Sequence, residues 1–219
     1  MKIAVIGFGA AAIGFIEKAK DSNNEIHIFE KSKDIYSSSI SGIRADGKLF
    51  VSSEMGGDID IDLQLQKKLV DYYISFTDSK TVETGCSFKN QLYYKQFYAK
   101  GFLPIASDFY HIGTDQLKEV LHNIYEHFKK NKNVHFHFSS KIEDVEIKND
   151  HVVLNKTEIF DKVLVAVGRS GHQLVKDTIK KYPEIIVDDT KLDLGIRYEV
   201  PDHIVEELNK EMYEFKIKY

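Results

Sequence analysis

Residues 7–14 (GFGAAAIG) follow directly on the apolar run MKIAVI, and a second apolar run, 25–30 (EIHIFE), closes on Glu30. This order constrains the chain more than any other feature in it. It predicts a buried strand, a glycine turn, a helix and a second strand that ends in a carboxylate, with the spacing G-x-G-x-x-A. Gly7 allows the strand to turn sharply, Gly9 has no Cβ to obstruct a pyrophosphate, and the small Ala12 lets the helix pack close against the strand. Free backbone N–H groups at the helix start, around Ala10 and Ala11, are a ready site for phosphate oxygens. Glu30 lies 18 positions past Ala12. A carboxylate at that spacing accepts hydrogen bonds from ribose hydroxyls and repels a 2′-phosphate, so FAD or NAD fits better than NADP, although Lys31 beside it weakens that exclusion.

The same stretch imitates a secretory signal, because Lys2 precedes the apolar segment 3–16. Glycines at turn positions, and the lack of a small-residue cleavage site before the charged residues 17–21, argue against that reading.

With 219 residues, 42% of them apolar and 29% charged, the chain has material for one sizeable core or one domain with an excursion. No stretch reaches membrane-spanning length, and a formal charge of −4 supplies no basic field for nucleic acid. Cys86 is the single cysteine, which excludes an intramolecular disulfide, a CxxC pair and a cysteine zinc site. A reducing, cytoplasmic setting is the natural expectation, with Cys86 a small apolar filler beside Gly85.

Along the chain, residues 32–57 are rich in serine, glycine and aspartate and read as loop. Segments 62–76 and 114–130 place apolar residues at helical spacing, the second through Leu117, Val120, Leu121, Ile124 and Phe128. Residues 88–110 are aromatic and irregular and read as strands of a substrate-side layer. Alternation over 134–138 and 141–148, a turn at Asn149-Asp150, the run 152–154 and the apolar run 162–166 predict a parallel-type strand, an antiparallel meander and a further buried strand. Residues 171–181 read as helix, 192–200 as strand, and Pro201 opens a helix over 202–210. The fold class expected is α/β: an FAD/NAD(P)-binding Rossmann-like (ββα) domain with a parallel sheet, an antiparallel β-meander and a partial substrate-side excursion. One such domain, incomplete, covers 1–219, with 78–112 and 190–219 in the excursion.

Taken together, the N-terminal G-F-G-A-A-A, the D-G-K-L core of segment 42–49, His111 to Asp115 (HIGTD), Ala166 to Gly171 (AVGRSG) and Asp193 to Pro201 (DLGIRYEVP) resemble FAD-dependent dehydrogenases of the glutathione-reductase-like flavoproteins. The resemblance implies that Gly7, Gly9 and Ala12 approach the FAD pyrophosphate and Glu30 the ribose. It further implies that Arg44, Asp46, Gly47 and Lys48 form a loop over the pyrophosphate and ribityl chain, and that backbone groups of Ile142, on the strand after VHFHF, meet the adenine edge. Ala166, Val167 and Gly168 match the A-T-G-like strand end that passes beneath the cofactor, with Val167 in place of the usual threonine. His111, Arg169 and Arg197 are the candidates for the flavin or substrate side. Members of that family are roughly twice as long, so the resemblance further implies an N-terminal part of a longer protein, a split product whose partner chain supplies the C-terminal half, or a shortened form without flavin chemistry. An aromatic-rich half of this kind is expected to self-associate as a homo-oligomer.

Two rival constellations carry less weight. Tyr125 and Lys129 have the Tyr-x-x-x-Lys spacing of short-chain dehydrogenases, a spacing that recurs in any helix rich in these residues. His135 and His137 share a strand face and could hold a metal with a third donor, and His122 and His127 sit on a nearby helix, but two same-face histidines without an acidic or cysteine companion read as partly exposed cross-strand residues, so no metal is expected. The leading expectation is an FAD-dependent oxidoreductase acting on a small molecule, with NAD(H) as donor or alternative ligand. A dinucleotide-binding module without redox activity is the second reading, and a plain NAD-dependent dehydrogenase the third.

Overall fold

The computed structural model describes residues 1–37, 47–54, 62–186, 199–212 and 215–219. Its elements in chain order are β1 (Lys2–Ile6), α1 (Ala10–Ala19), β2 (Glu25–Phe29), β3 (Lys48–Val51), α2 (Leu63–Ile74), β4 (Glu83–Ser87), α3 (Gln91–Tyr98), β5 (Leu103–Ile105) and β6 (Ser107–His111). There follow α4 (Thr114–Lys129), β7 (Val134–His137), β8 (Val145–Ile147), β9 (Val152–Leu154), β10 (Glu158–Phe160), β11 (Lys162–Val165), α5 (His172–Lys181), α6 (Asp202–Glu211) and β12 (Lys216–Lys218). The chain divides into two compact units, one of Met1–Ala45 with Thr114–Asp189 and one of Asp46–Gly113 with Thr190–Tyr219.

The first unit is built on a parallel sheet in the order β11-β1-β2-β7. Strand β1 lies inside this sheet with Ile3 to Ile6 all buried, and a strand covered on both faces reads as a continuous apolar run rather than an alternation. On one face, Ala4, Ile6 and Phe29 pack with Ile142, Val145, Val152, Leu154 and Phe160, and the antiparallel meander β8-β9-β10 supplies most of that layer. Residues alternate along a strand, so Val5, Ile26 and Ile28 point to the opposite side. The helices α1 and α4 pack on each other and bury Ala12, Ile13 and Ile16 from one and Leu117, Val120, Leu121, Ile124 and Phe128 from the other. Each large aliphatic side chain buried there contributes about 1.5–3 kcal/mol. Helix α4 buries the very stripe that its sequence periodicity predicts.

The second unit holds an antiparallel sheet, β3-β6-β4, and a two-stranded pair of β5 with β12. A Cβ on Gly85 would lie 2.6 Å from the Phe109 ring, so only glycine lets that ring lie across the neighbouring strand. Phe88 is buried at the centre of an aromatic group with Tyr94, Phe97 and Phe215, and its N–H donates to the Met212 sulfur at 3.0 Å.

Three sequence expectations change. Residues 48–51 form β3, not loop, because β6 offers that segment an antiparallel partner from Asp108 to His111. The aromatic stretch after residue 88 contains the helix α3, started by Asn90, whose side chain accepts the Leu92 N–H at 2.9 Å. The strand expected over 141–148 shrinks to Val145–Ile147. Ahead of it the Asn155 side chain takes over the role of a ladder: its Oδ1 accepts the N–H groups of Glu143 and Asp144, and its Nδ2 donates to the Lys141 carbonyl. The strand expected over 192–200 lies largely outside the described residues. Among the described residues no helix is long and apolar enough to cross a membrane.

Candidate functional site

Strand β1 ends in a turn at Gly7, whose φ is +93° and whose N–H donates to the Phe29 carbonyl at 2.8 Å. A Cβ at Gly7 would meet the Ala166 carbonyl oxygen at 2.6 Å and the Val167 Cα at 3.2 Å. The turn therefore needs glycine twice over, for its backbone conformation and for the close approach of the chain leaving β11. The Ala166 N–H extends the ladder by donating to the Ile6 carbonyl at 2.8 Å. Val167 packs down onto the meander core, whereas Gly168 and Arg169 are exposed. Gly7 and the segment Ala166–Val167, distant in sequence, are thus brought together.

Phe8 turns inward and is buried, edge-on to Phe128 and Phe136, so its ring leaves the turn clear. Gly9 caps α1 without a side-chain hydrogen bond, and Ala10 and Ala11 are exposed. Among the described residues the N–H groups of Ala10, Ala11 and Ala12 meet no acceptor, the first intrahelical bond being Ile13 N–H to the Gly9 carbonyl at 2.9 Å. The positive end of the helix dipole coincides with these donors.

Glu30 follows directly on β2 and is 5% exposed. Its Oε2 accepts the Phe8 N–H at 3.0 Å, and its Oε1 accepts the Ser32 N–H at 2.9 Å and the Ser32 hydroxyl at 2.7 Å. A carboxylate has about four lone-pair directions, so three are used and one on Oε2 stays open beside the turn. Lys31 is exposed.

Ile142 is buried, but it lies on the irregular segment ahead of β8 and not on a strand, because the Asn155 clasp holds its neighbours. No hydrogen bond reaches its backbone among the described residues. Gly47, Lys48 and His111 belong to the second unit: the Ile112 N–H donates to the Gly47 carbonyl at 3.0 Å, Lys48 pairs in register with His111, and the His111 Nδ1 lies 3.3 Å from the Glu83 carboxylate. Arg44, Asp46 and Arg197 lie outside the described residues. Cys86 pairs with Asp108 across β4 and β6, and burial pushes its thiol above the usual range, away from a nucleophilic thiolate. Tyr125 packs edge-on against Phe136, with the Lys129 ammonium 5.4 Å from its ring centre and 3.3 Å from Glu126. Tyr125 is thereby engaged in packing on β7 and Lys129 in an ion pair.

One group of residues escaped the sequence reading. Parallel pairing of β2 with β7 sets His27 opposite His135, and Glu25 precedes His27 on the same strand face. Glu25, His27 and His135 each present a donor atom within 4.8 Å of the others. Burial lowers the pKa of His27 and of His137, which favours neutral rings. The acidic companion missing beside His135 in sequence is therefore supplied by the neighbouring strand. The E-x-H alternation at 25–27 was the available signal. An open depression lined by Lys20 to Asn23 and Asn131 to Asn133 lies near the same end of β2, away from the glycine turn.

No family model matches the chain. An uncharacterized protein of Clostridium beijerinckii (strain ATCC 51743 / NCIMB 8052) is 26% identical over 215 residues, which cover 92% of this chain and 37% of that protein. Among solved structures, L-amino acid deaminase from Proteus vulgaris superposes with a TM-score of 0.52 at 14% identity, over 81% of this chain and 49% of its own. P. aeruginosa PqsL in complex with 2-aminobenzoylacetate gives a TM-score of 0.50 at 11% identity, over 88% and 48%. The chain thus spans less than half the length of each of these proteins. At such identities the likeness is one of fold alone, a mixed α/β architecture with parallel and antiparallel sheets.

Proposed function

We propose that this chain carries the dinucleotide-binding part of an FAD-dependent oxidoreductase, with a Rossmann-like first unit that takes the ADP half of FAD over the turn at Gly7–Ala12. The observation that carries the reading is the conjunction at one strand end of three N–H groups at the start of α1 that meet no acceptor among the described residues, a glycine turn pressed against Ala166, and the buried Glu30 carboxylate with three of its roughly four acceptor directions used by described residues. The residues fit the group: the helix start and Gly9 would hold the pyrophosphate, Glu30 a ribose hydroxyl, and the unbonded backbone of Ile142 the adenine edge. Bound flavin would supply hydride chemistry, which no side chain of this protein offers by itself. The protein's own work is to orient the dinucleotide and, through Glu30, to disfavour a 2′-phosphate. Arg169, exposed just past the Ala166–Val167 segment, is the candidate of this unit for the remainder of the cofactor or for a small-molecule substrate. The structural neighbours named for amino acid deamination and for a 2-aminobenzoylacetate complex are in keeping with an oxidoreductase of this fold.

The test is titration of the purified chain with FAD, read by flavin fluorescence and by thermal unfolding. Saturable 1:1 binding, weakened at least about tenfold by Glu30→Ala, supports the proposal, a tenfold loss being about 1.4 kcal/mol. Stabilisation by NADH and not by FAD would favour a plain NAD-binding enzyme. Binding of neither would sink the dinucleotide reading. Flavin that binds but is reduced by no electron donor would favour a binding module without redox activity.

A further inference from the structure

We propose that Glu25, His27 and His135 form a binding site for a first-row divalent cation, Zn2+ being the best fit, at the end of the parallel sheet remote from the glycine turn. The three residues come from two strands. His27 and His135 are register partners across β2 and β7, and Glu25 stands two residues before His27 on the same face. The Glu25 Oε1 lies 3.0 Å from the His27 Nε2 and 3.5 Å from the His135 Nε2. Ligand atoms around a tetrahedral zinc stand about 3.4 Å apart. The carboxylate oxygen is at about that distance from both imidazoles, and all three donor atoms lie within 4.8 Å of one another, so a small turn of the exposed Glu25 and half-exposed His135 side chains would close the set.

A second observation points the same way. Among the described residues the His27 Nε2 is inaccessible to solvent and makes no regular hydrogen bond, although the Glu25 carboxylate stands 3.0 Å away. Buried polar atoms are seldom left so, and a cation between Nε2 and the carboxylate would satisfy both. The other ring nitrogen is already anchored: the His27 Nδ1 lies 2.9 Å from the His137 Nε2, and the two rings stack at 5.2 Å. If Nδ1 carries the proton and donates to His137, Nε2 is left as a lone pair aimed at Glu25 and His135. That tautomer is the one a metal-bound histidine adopts when a neighbour holds its far N–H. His137 is in turn stacked on Phe29 at 4.8 Å, which fixes the orientation of the whole column.

Two imidazoles and a carboxylate suit zinc with one position left for water, and the half-exposed Glu25 and His135 leave a path from solvent. Glu25 and Glu30 lie at opposite ends of β2, about 16 Å apart along a strand. The cation would therefore not touch a ligand at the glycine turn. Its effect would be to clamp the edge strand β7 onto β2.

The experiment is calorimetric titration of the chelator-treated full chain with Zn2+, with thermal unfolding as the second readout. One Zn2+ per chain and a raised Tm are expected. His135→Gln and Glu25→Gln, both at exposed or half-exposed positions that the fold tolerates, should each weaken binding by at least about tenfold. His137→Phe, which removes the ring that orients His27, should cost about tenfold as well. His203→Gln, on α6 in the other unit, should bind as the parent does. No binding at millimolar Zn2+, or undiminished binding in both His135→Gln and Glu25→Gln, overturns the proposal.

Discussion

The carboxylate of Glu30 accepts the backbone N–H of Phe8 at 3.0 Å, so the end of β2 is joined to the residue between the two glycines by a buried, charged acceptor. The contact closes the turn by a bond that does not depend on a ligand. Glu30 therefore has a structural task beside the binding task proposed for it.

Glu30→Gln should weaken both. An amide has one acceptor oxygen where the carboxylate has two, so either Phe8 or Ser32 loses its partner. A loss of about 1–3 kcal/mol in urea unfolding is expected, along with weaker FAD binding. Unchanged stability would show that the hydrogen bonds are replaced by water.

Two glycines of the same segment should respond in opposite directions. Gly7→Ala puts a Cβ 2.6 Å from the Ala166 carbonyl at a φ of +93°, and should destabilise the chain by at least about 1–3 kcal/mol. Gly14 lies within α1, where a Cβ meets nothing within 4 Å. Gly14→Ala should stabilise by about 0.5–1 kcal/mol and leave FAD binding as it was. Chemical denaturation of both variants checks the pair.

The Asn155 clasp should matter beyond its own loop. Asn155→Ala removes the acceptor of Glu143 and Asp144 and the donor to Lys141, and it places alanine at a φ of +48°. A stability loss of about 1–3 kcal/mol is expected. Hydrogen exchange should speed up across residues 141–144, and FAD affinity should fall if Ile142 meets the adenine.

Alkaline pH should expose Tyr73. Burial pushes its hydroxyl up to about 12 from the ordinary tyrosine value of 10.0. Between these values the unfolded chain has lost the proton and the folded chain keeps it, so the folded state binds more protons and stability falls as pH rises from 10 towards 12. Tyr73→Phe should flatten that decline in a pH series of urea midpoints while leaving stability near pH 7 almost unchanged.

What the amino-acid order determined by itself is local. The β1-α1-β2 succession, the place of Glu30 after β2 and the buried stripe of α4 follow from near-neighbour periodicity, from glycine's freedom at Gly7 and from which residues tolerate burial. Helix α3 was missed because its aromatic pattern resembles a strand's, and the sole local sign of it was the Asn90 cap. Only the tertiary structure decided that Ala166 presses on Gly7, that Asn155 keeps the segment ahead of β8 out of a strand, and that Glu25, His27 and His135 share one spot. The physical reason is register. Parallel strands far apart in the chain are aligned by the burial of whole faces, and a shift of one residue would turn His135 to the other side of the sheet, so no local window of sequence contains that information.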